Sequence, residues 1–373
     1  MQRLLTFLVL IIANFLFCKN LLAQNYSNRI WDLNNCINYA LENNIQVKQK
    51  KLSVTSNELD LSEDKSAWLP SLNASVSENL SNSKDKTNAD SWAASNGTSF
   101  SLTASMPIYQ GGTIKNNIRK SQLSVEQANV EVEITQKSII LSIVQAYLDV
   151  LYTKESVDYY GEVVLASQKQ VERSKDLFNA GSIVRKDLAQ MEAQLASDNY
   201  SLTVARNNLT SRTTDLKQLL EIPVADTFAV SFPEVQVIDS LASFPSKLEA
   251  INAAISIMPE IRNSQVNNQI AEVNFRITKS GYLPSLSLNA GYSTDYSSSL
   301  SGGFSNQLSN NQLQKVGLTL NVPIFNRFST KTSVQQSKIG MEQARLSALE
   351  TEKNLQQQVE TIYQDAVAGI YRY

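Results

Sequence analysis

The stretch Met106-Pro-Ile-Tyr-Gln-Gly-Gly112 ends an alternating run and opens more than sixty residues without another proline. Its echo, Val322-Pro-Ile-Phe-Asn-Arg-Phe328, lies 216 positions later. Upstream, "AWLPSLNASVS" from Ala67 matches "GYLPSLSLNAG" from Gly281 at an offset of 214. The chain therefore carries an internal repeat, and the two-residue change in offset falls in the loop between the matched pieces.

Between the matches the side chains alternate. Leu72, Ala74 and Val76 share one face while Ser71, Asn73, Ser75 and Ser77 share the other, and Leu286, Leu288, Ala290 and Tyr292 repeat the pattern. Polar stretches follow at about 81–97 and 293–314. Alternation resumes as Phe100, Leu102, Ala104, Met106 and as Val316, Leu318, Leu320, Val322. Each run is about ten residues, the length of a tilted membrane-spanning strand. One such hairpin alone reads better as a surface hairpin on a soluble core; two matching hairpins with long polar loops at one end shift the reading to a barrel.

Segments from Asp32 to Ser66 and from Ser246 to Ser280 read as helices ahead of each hairpin, capped by Asp32 and Ser246. Pro70 and Pro284 stand where those helices must stop, because proline lacks the backbone donor that would continue them. After each hairpin a heptad begins: Ile118, Val125, Val132, Ile139 and Ala146, then Val334, Met341, Ala348, Leu355 and Ile362. A sustained seven-residue period predicts a left-handed supercoil. At 1.5 Å per residue the first of these helices, Thr113 to about Asn179, would reach ~100 Å. The segment "LFNAGSIVRKDL" ends it, with Gly181 free to turn left-handed and Ser182 expected to cap the next helix. That helix, to about Glu221, carries Leu188, Leu195, Leu202, Leu209 and Leu216, beside a mixed row of Met191, Asp198, Ala205, Arg212 and Leu219.

Composition removes whole classes of function. The net charge of -2 gives no basic footprint for nucleic acid. Histidine is absent, which takes away the commonest general base and a principal metal ligand. No metal-ligand cluster or phosphate-cradling glycine loop replaces it, so no cofactor is expected, and "QGG" at Gln110 lacks the spacing of such a loop. Tyr147 and Asp149 recur as Tyr363 and Asp365, which reads as duplicated helix packing rather than an enzyme's site. The start, Met1-Gln-Arg3 followed by an apolar run to Phe17, reads as a secretory leader cleaved after Ala23. Of the two cysteines, Cys18 lies in that leader, where Phe17 occupies the position a lipidation signal gives to a small residue; Cys36 reads as a buried helix residue.

Four strands cannot close a transmembrane barrel, and open edges are not tolerated in lipid. Strands in a membrane therefore require several copies of the chain, two giving eight and three giving twelve. The helices all leave the proline end of the hairpins, beyond Pro70, Pro107, Pro284 and Pro323, so they would run together away from the bilayer as a tube.

This order of "LPSL", strand, loop, strand, "P-I-[YF]" and heptad helix, used twice, resembles the TolC family of outer-membrane factors over essentially the whole chain from about Trp31. "LFNAGSIVRKDLAQMEAQL" is similar to that family's helix-hairpin tip. The resemblance implies a mainly α fold with transmembrane β: a homotrimer with a 12-stranded β-barrel in outer-membrane lipid, continued by a periplasmic α-helical barrel. It implies an exit duct of tripartite efflux or type I secretion, working with an inner-membrane transporter and a periplasmic adaptor. Gly181, Ser182, Ile183, Val184, Asp187 and Leu188 match the tip that would meet the adaptor, although the macrodipole favours Asp187 at a helix start in any case. The expected organisation is a leader at 1–23, a first repeat at 24–230 and a second at 231–373. The second repeat is read as C-terminally incomplete, since a full copy of the first would need roughly seventy more residues beyond Tyr363. An exported coiled-coil or adhesin-like protein is the competing reading; it explains the heptads and the leader but not the matched hairpins.

Overall fold

The structure is a computed structural model that describes residues 30–84, 92–223, 226–232 and 245–370. The expected leader and Cys18 lie outside the described residues. In chain order the elements are β1 (Ile30–Trp31), α1 (Leu33–Asn43), α2 (Ile45–Ser66), β2 (Ser71–Lys84), β3 (Trp92–Gln110), α3 (Thr113–Asn179) and α4 (Arg185–Leu219). There follow β4 (Ala229–Val230), α5 (Lys247–Ile257), α6 (Pro259–Lys279), a 3-10 turn at Ser280–Tyr282, β5 (Ser285–Ser297), α7 (Phe304–Asn310), β6 (Leu313–Asn321) and α8 (Ser329–Ile370). Two compact units share these elements, one built from Met1–Gln49 and Thr135–Asp239, the other from Lys50–Ile134 and Ser240–Tyr373.

In the first unit the core is a knot around Trp31, Cys36, Ala40, Ile143, Val150, Leu216 and Leu220, all at most 2% exposed. Burying each large apolar side chain contributes roughly 1.5–3 kcal/mol. Trp31 meets Tyr39 edge-on at 5.1 Å and Phe228 at 5.6 Å, while β1 and β4 pair in parallel. The Tyr147 hydroxyl donates to the Ser231 carbonyl at 2.7 Å. α3 contains one stretch that could cross a bilayer by length and composition alone; its Ile139, Ile143, Tyr147 and Val150 are instead core residues of this knot.

The helix expected from Asp32 to Ser66 is two helices, broken at Asn44. Asp32 caps the first as expected, its carboxylate accepting from the Asn35 amide at 2.6 Å. Asn44, 3% exposed, starts the second by accepting from the amides of Gln46 at 2.9 Å and Val47 at 3.3 Å, and its side-chain amide donates to the Leu219 carbonyl at 3.3 Å. The break lets one buried side chain cap the new helix start and at the same time meet the Leu219 carbonyl. The second repeat breaks at Met258, 214 positions later, where Pro259 opens α6. Ser246 caps α5 through a reciprocal pairing with Glu249, and these hydrogen bonds hold the Glu249 carboxyl below its ordinary value.

The heptad reading of α4 holds, with Leu188, Leu202 and Leu216 buried. On α3 the seam is displaced. Ala146 is only half-buried, and the buried positions after Ile139 are Ile143, Tyr147, Val150, Val164 and Val171, of which Ile143, Val150, Val164 and Val171 keep the heptad one helical turn away from the expected row. Adjacent apolar rows at i and i+4 lie on neighbouring strips of one face, and period alone does not choose between them. In the second unit α6 packs Val266 and Val273 on Leu123 of α3, and Ala254, Ile261 and Leu355 join α5, α6 and α8.

The second unit also holds a four-stranded antiparallel sheet in the order β2-β3-β5-β6. The first hairpin is longer than the alternation suggested. β2 and β3 stay paired from Ser71↔Ser105 to Lys84↔Trp92, so much of the polar stretch at 81–97 is strand rather than loop.

Candidate membrane-facing sheet and helix-hairpin tip

Register puts the apolar residues of all four strands in rows. Leu72, Ala104, Ala290 and Val316 are aligned across the sheet, as are Ala74, Leu102, Tyr292 and Gln314. Leu72, Val76, Val316, Leu318 and Leu320 are each more than 60% exposed. Large apolar surface facing outward in such a contiguous patch marks contact with lipid or protein. The opposite face is hydroxyl-rich: Ser75 with Ser101, Ser77 with Ser99 and Ser81 with Ser95 pair at 2.7 Å each. One sheet thus has an oily side and a wet side.

Both ends of the oily side carry aromatic residues. Trp68 and Tyr282, 214 positions apart, precede β2 and β5, while Tyr109 and Phe325, 216 apart, close the other strand of each hairpin; all four are at least 41% exposed. At the loop end stand Trp92 and the Tyr296–Phe304 pair, whose centroids are 5.1 Å apart. Thirteen residues of β5 at ~3.3 Å each, tilted ~45°, give a height of about 30 Å, enough for an apolar band of ~25 Å with its girdles. The β5–β6 connection, read as a polar loop, contains α7. Gln307 fixes it from within: its amide donates to the carbonyls of Ser297, Leu300 and Gly302 at 3.1, 3.2 and 2.9 Å and accepts from the Ser297 amide at 2.9 Å. No sequence pattern distinguishes that glutamine from its many neighbours.

The four joint prolines behave differently. Pro70 and Pro284 sit between helix and strand as expected. Pro323 lies two residues past the end of β6 and lines an open groove of about 550 Å³ with Gln110, Gly281, Asn321 and Thr330. Pro107 does not stop pairing. β3 continues to Gln110 against β5, with a bulge between Pro107 and Tyr109. A bulge absorbs the missing donor without ending the ladder. Past it, Gly111 and Gly112 turn the chain into α3 with φ of 59° and 84°, and Arg327 and Phe328 do the same before α8 with φ of 52° and 64°. The second joint has no glycine yet keeps the same left-handed sense.

The tip residues share one turn of the first unit. Gly181 has φ 68°; its amide donates to the Phe178 carbonyl at 3.0 Å, and that of Ser182 donates to Leu177 at 2.9 Å. This is the Schellman closure of α3. Ser182 does not cap α4, because it forms part of the α3 closure two residues before the cap position. The cap position is Val184, which has no capping side chain. Val184 is 62% exposed and Ile183 half-buried. Asp187 lies exposed in the first turn of α4, and Leu188 is buried in the seam. Higher on the hairpin Asp198, 8% exposed, accepts from the Ser167 hydroxyl and from Gln194 at 2.8 Å, which accounts for a carboxylate in the mixed row. Among the described residues no cluster could hold a metal ion.

An antiparallel sheet with a lipid-suited face, flowing through left-handed joints into long heptad helices, defines an outer-membrane channel protein. The chain belongs to the outer membrane efflux protein family, whose model matches residues 36–220 and 250–368. Outer membrane protein TolC of Vibrio cholerae is 24% identical over 326 residues, covering 84% of this chain and 69% of that protein. The TolC protein of Escherichia coli is 24% identical over 290 residues, covering 74% of this chain and 56% of its own length. The chain thus spans between about half and two thirds of these relatives. Its fold is that of the Campylobacter jejuni CmeC outer membrane channel, at a TM-score of 0.71 and 20% identity over 86% of this chain and 67% of that one. It is likewise similar to the open state of the Neisseria gonorrhoeae MtrE outer membrane channel, at 0.67 and 17% over 90% and 72%.

Proposed function

We propose that three copies of this chain assemble into an exit duct of the outer membrane. Each copy supplies four strands to a twelve-stranded barrel and its helices to a periplasmic tube. The observation that carries this reading is the sheet, which pairs β2-β3-β5-β6 and leaves the outer edges of β2 and β6 without a strand partner among the described residues. Edges in lipid must be paired, and an edge β6 against a neighbour's β2 closes the circle. The duct is passive. Solutes delivered by an inner-membrane transporter enter through a periplasmic adaptor, which meets the tip at Gly181, Ser182, Ile183, Val184, Asp187 and Leu188. The duplicated halves, 24–230 and 231–373, each supply one hairpin and one long helix after a leader at 1–23.

Native mass spectrometry of detergent-extracted outer membranes tests the assembly. A trimer that resists mild detergent is expected. Recovery of the chain as a monomer released by osmotic shock alone would overturn the proposal.

A further inference from the structure

We infer that Lys315 sets the ion preference of the strand-level passage, an inference that rests on the reading of the hydroxyl-rich face as the wall of a conduit. The strands carry four charged residues in their described portions: Glu78, Lys84, Asp295 and Lys315. Alternation assigns Glu78 and Lys84 to the same face as Val76 and Leu80. Both lie near the loop end, where Glu78 accepts from the Thr98 hydroxyl at 2.7 Å and the Lys84 ammonium lies 6.0 Å from the Trp92 ring. The wet face is left with one cation and one anion.

Lys315 stands at mid-height of that face. It is aligned with Gly291 on β5, which is aligned in turn with Thr103 on β3, and Thr103 with Asn73 on β2. No neighbour in this row is charged. Gly291 leaves a gap beside it, and the Lys315 stem fills that gap: its Cγ and Cε lie 3.6 Å from where a Gly291 Cβ would be. The methylenes are thus supported by the wall while the ammonium stays exposed. Asp295 is four residues further along β5 than Gly291, about 13 Å toward the loops. That exceeds the ~8 Å Debye length at physiological ionic strength, so the two charges act as separate levels rather than neutralising each other. Three copies place three ammonium groups at one height of the wall, each enriching the opposite ion within a Debye length (~8 Å) of itself.

The test is the reversal potential of the purified chain in planar bilayers under a potassium chloride gradient. Lys315→Glu should lower the chloride-to-potassium permeability ratio. Lys315→Arg should keep the original ratio, and the neutral Lys315→Gln should fall between. Step-like currents of unchanged ratio in both Lys315→Glu and Lys315→Gln would overturn the inference while leaving the duct intact. Absence of step-like current from the unaltered chain would instead overturn the duct reading and the inference with it.

Discussion

Arg327 repeats the backbone conformation of Gly111 from 216 positions away, with φ of 52° against 59°. The two joints are built to one plan, but only one of them uses the residue that adopts that plan without strain. At Gly111 a Cβ would meet Leu283 Cβ at 2.8 Å and the Ser280 carbonyl oxygen at 2.9 Å, so there glycine answers a steric demand as well as a conformational one. A left-handed non-glycine residue costs roughly 1–2 kcal/mol. Part of that gain is offset by the greater freedom glycine gives the unfolded chain. Arg327→Gly should therefore raise stability by about 0.5–1 kcal/mol, whereas Gly111→Ala should lower it by about 2 kcal/mol or more. Urea midpoints of the detergent-extracted variants read both; equal and opposite shifts, or a loss in Arg327→Gly, would contradict the shared plan.

Asn44 joins α1, α2 and the end of α4 through one buried side chain. Asn44→Ala removes the cap and leaves the Leu219 carbonyl without this donor. The expected cost is about 2–3 kcal/mol, the sum of a lost cap and an unmet buried group. Asn44→Asp keeps the capping oxygen but sets an acceptor against the Leu219 carbonyl, so it should retain the cap while still losing the bridge to α4. Amide exchange at Gln46 and Val47 should accelerate in Asn44→Ala and stay slow in Asn44→Asp.

Burial, reinforced by the Asp32 carboxylate, pushes the Cys36 thiol up from 9.0 to about 12. Tyr147 in the same knot is raised as well, first by its burial and then by Cys36 and Asp32. A group that holds its proton more tightly when folded stabilises the fold below its unfolded pKa. That stability is lost as pH rises towards the folded value. The knot should hold constant stability from Cys36 up to about pH 9 and lose it progressively between 9 and about 12. Iodoacetamide at pH 8 should leave Cys36 unmodified in the folded chain and alkylate it in urea; Cys36→Ala should flatten the fall in stability across that window.

At the tip, nothing lies within 4 Å of a Cβ built on Gly181. Gly181→Ala should cost only the left-handed penalty of about 1 kcal/mol, with assembly intact. Val184→Glu tests the proposed adaptor contact, because Val184 is exposed and caps nothing. Trimer yield should be unchanged while crosslinking to the adaptor in whole cells falls; undiminished crosslinking would place the contact elsewhere.

Much of this architecture is legible from residue spacing. The period-two runs locate all four strands, and the duplicated offsets locate both joints. What escapes has a common physical origin, in that it depends on a partner distant in sequence. Asn44 breaks a helix because Leu219, 175 positions away, needs a donor. Pro107 remains in the ladder because β5 accommodates a bulge opposite Ser287 and Leu286. The strands around 81–97 show no clean alternation, since serine and asparagine occupy both faces near the loop end. Ser182 has the chemistry of a cap, yet the closure of α3 claims its backbone first. At the tip, the sequence placed Gly181, Asp187 and Leu188 on one turn, but not which side chain stands outermost there.

The serine pairs across β2 and β3 have a consequence for transport. Six serine hydroxyls on that face are already paired at 2.7 Å across the two strands. Each such pair uses one donor and one acceptor within the sheet and leaves the remaining hydroxyl capacity for water. If that face lines the proposed duct, it would wet readily, and passage at the level of the strands would meet a water-bearing wall rather than a receptor.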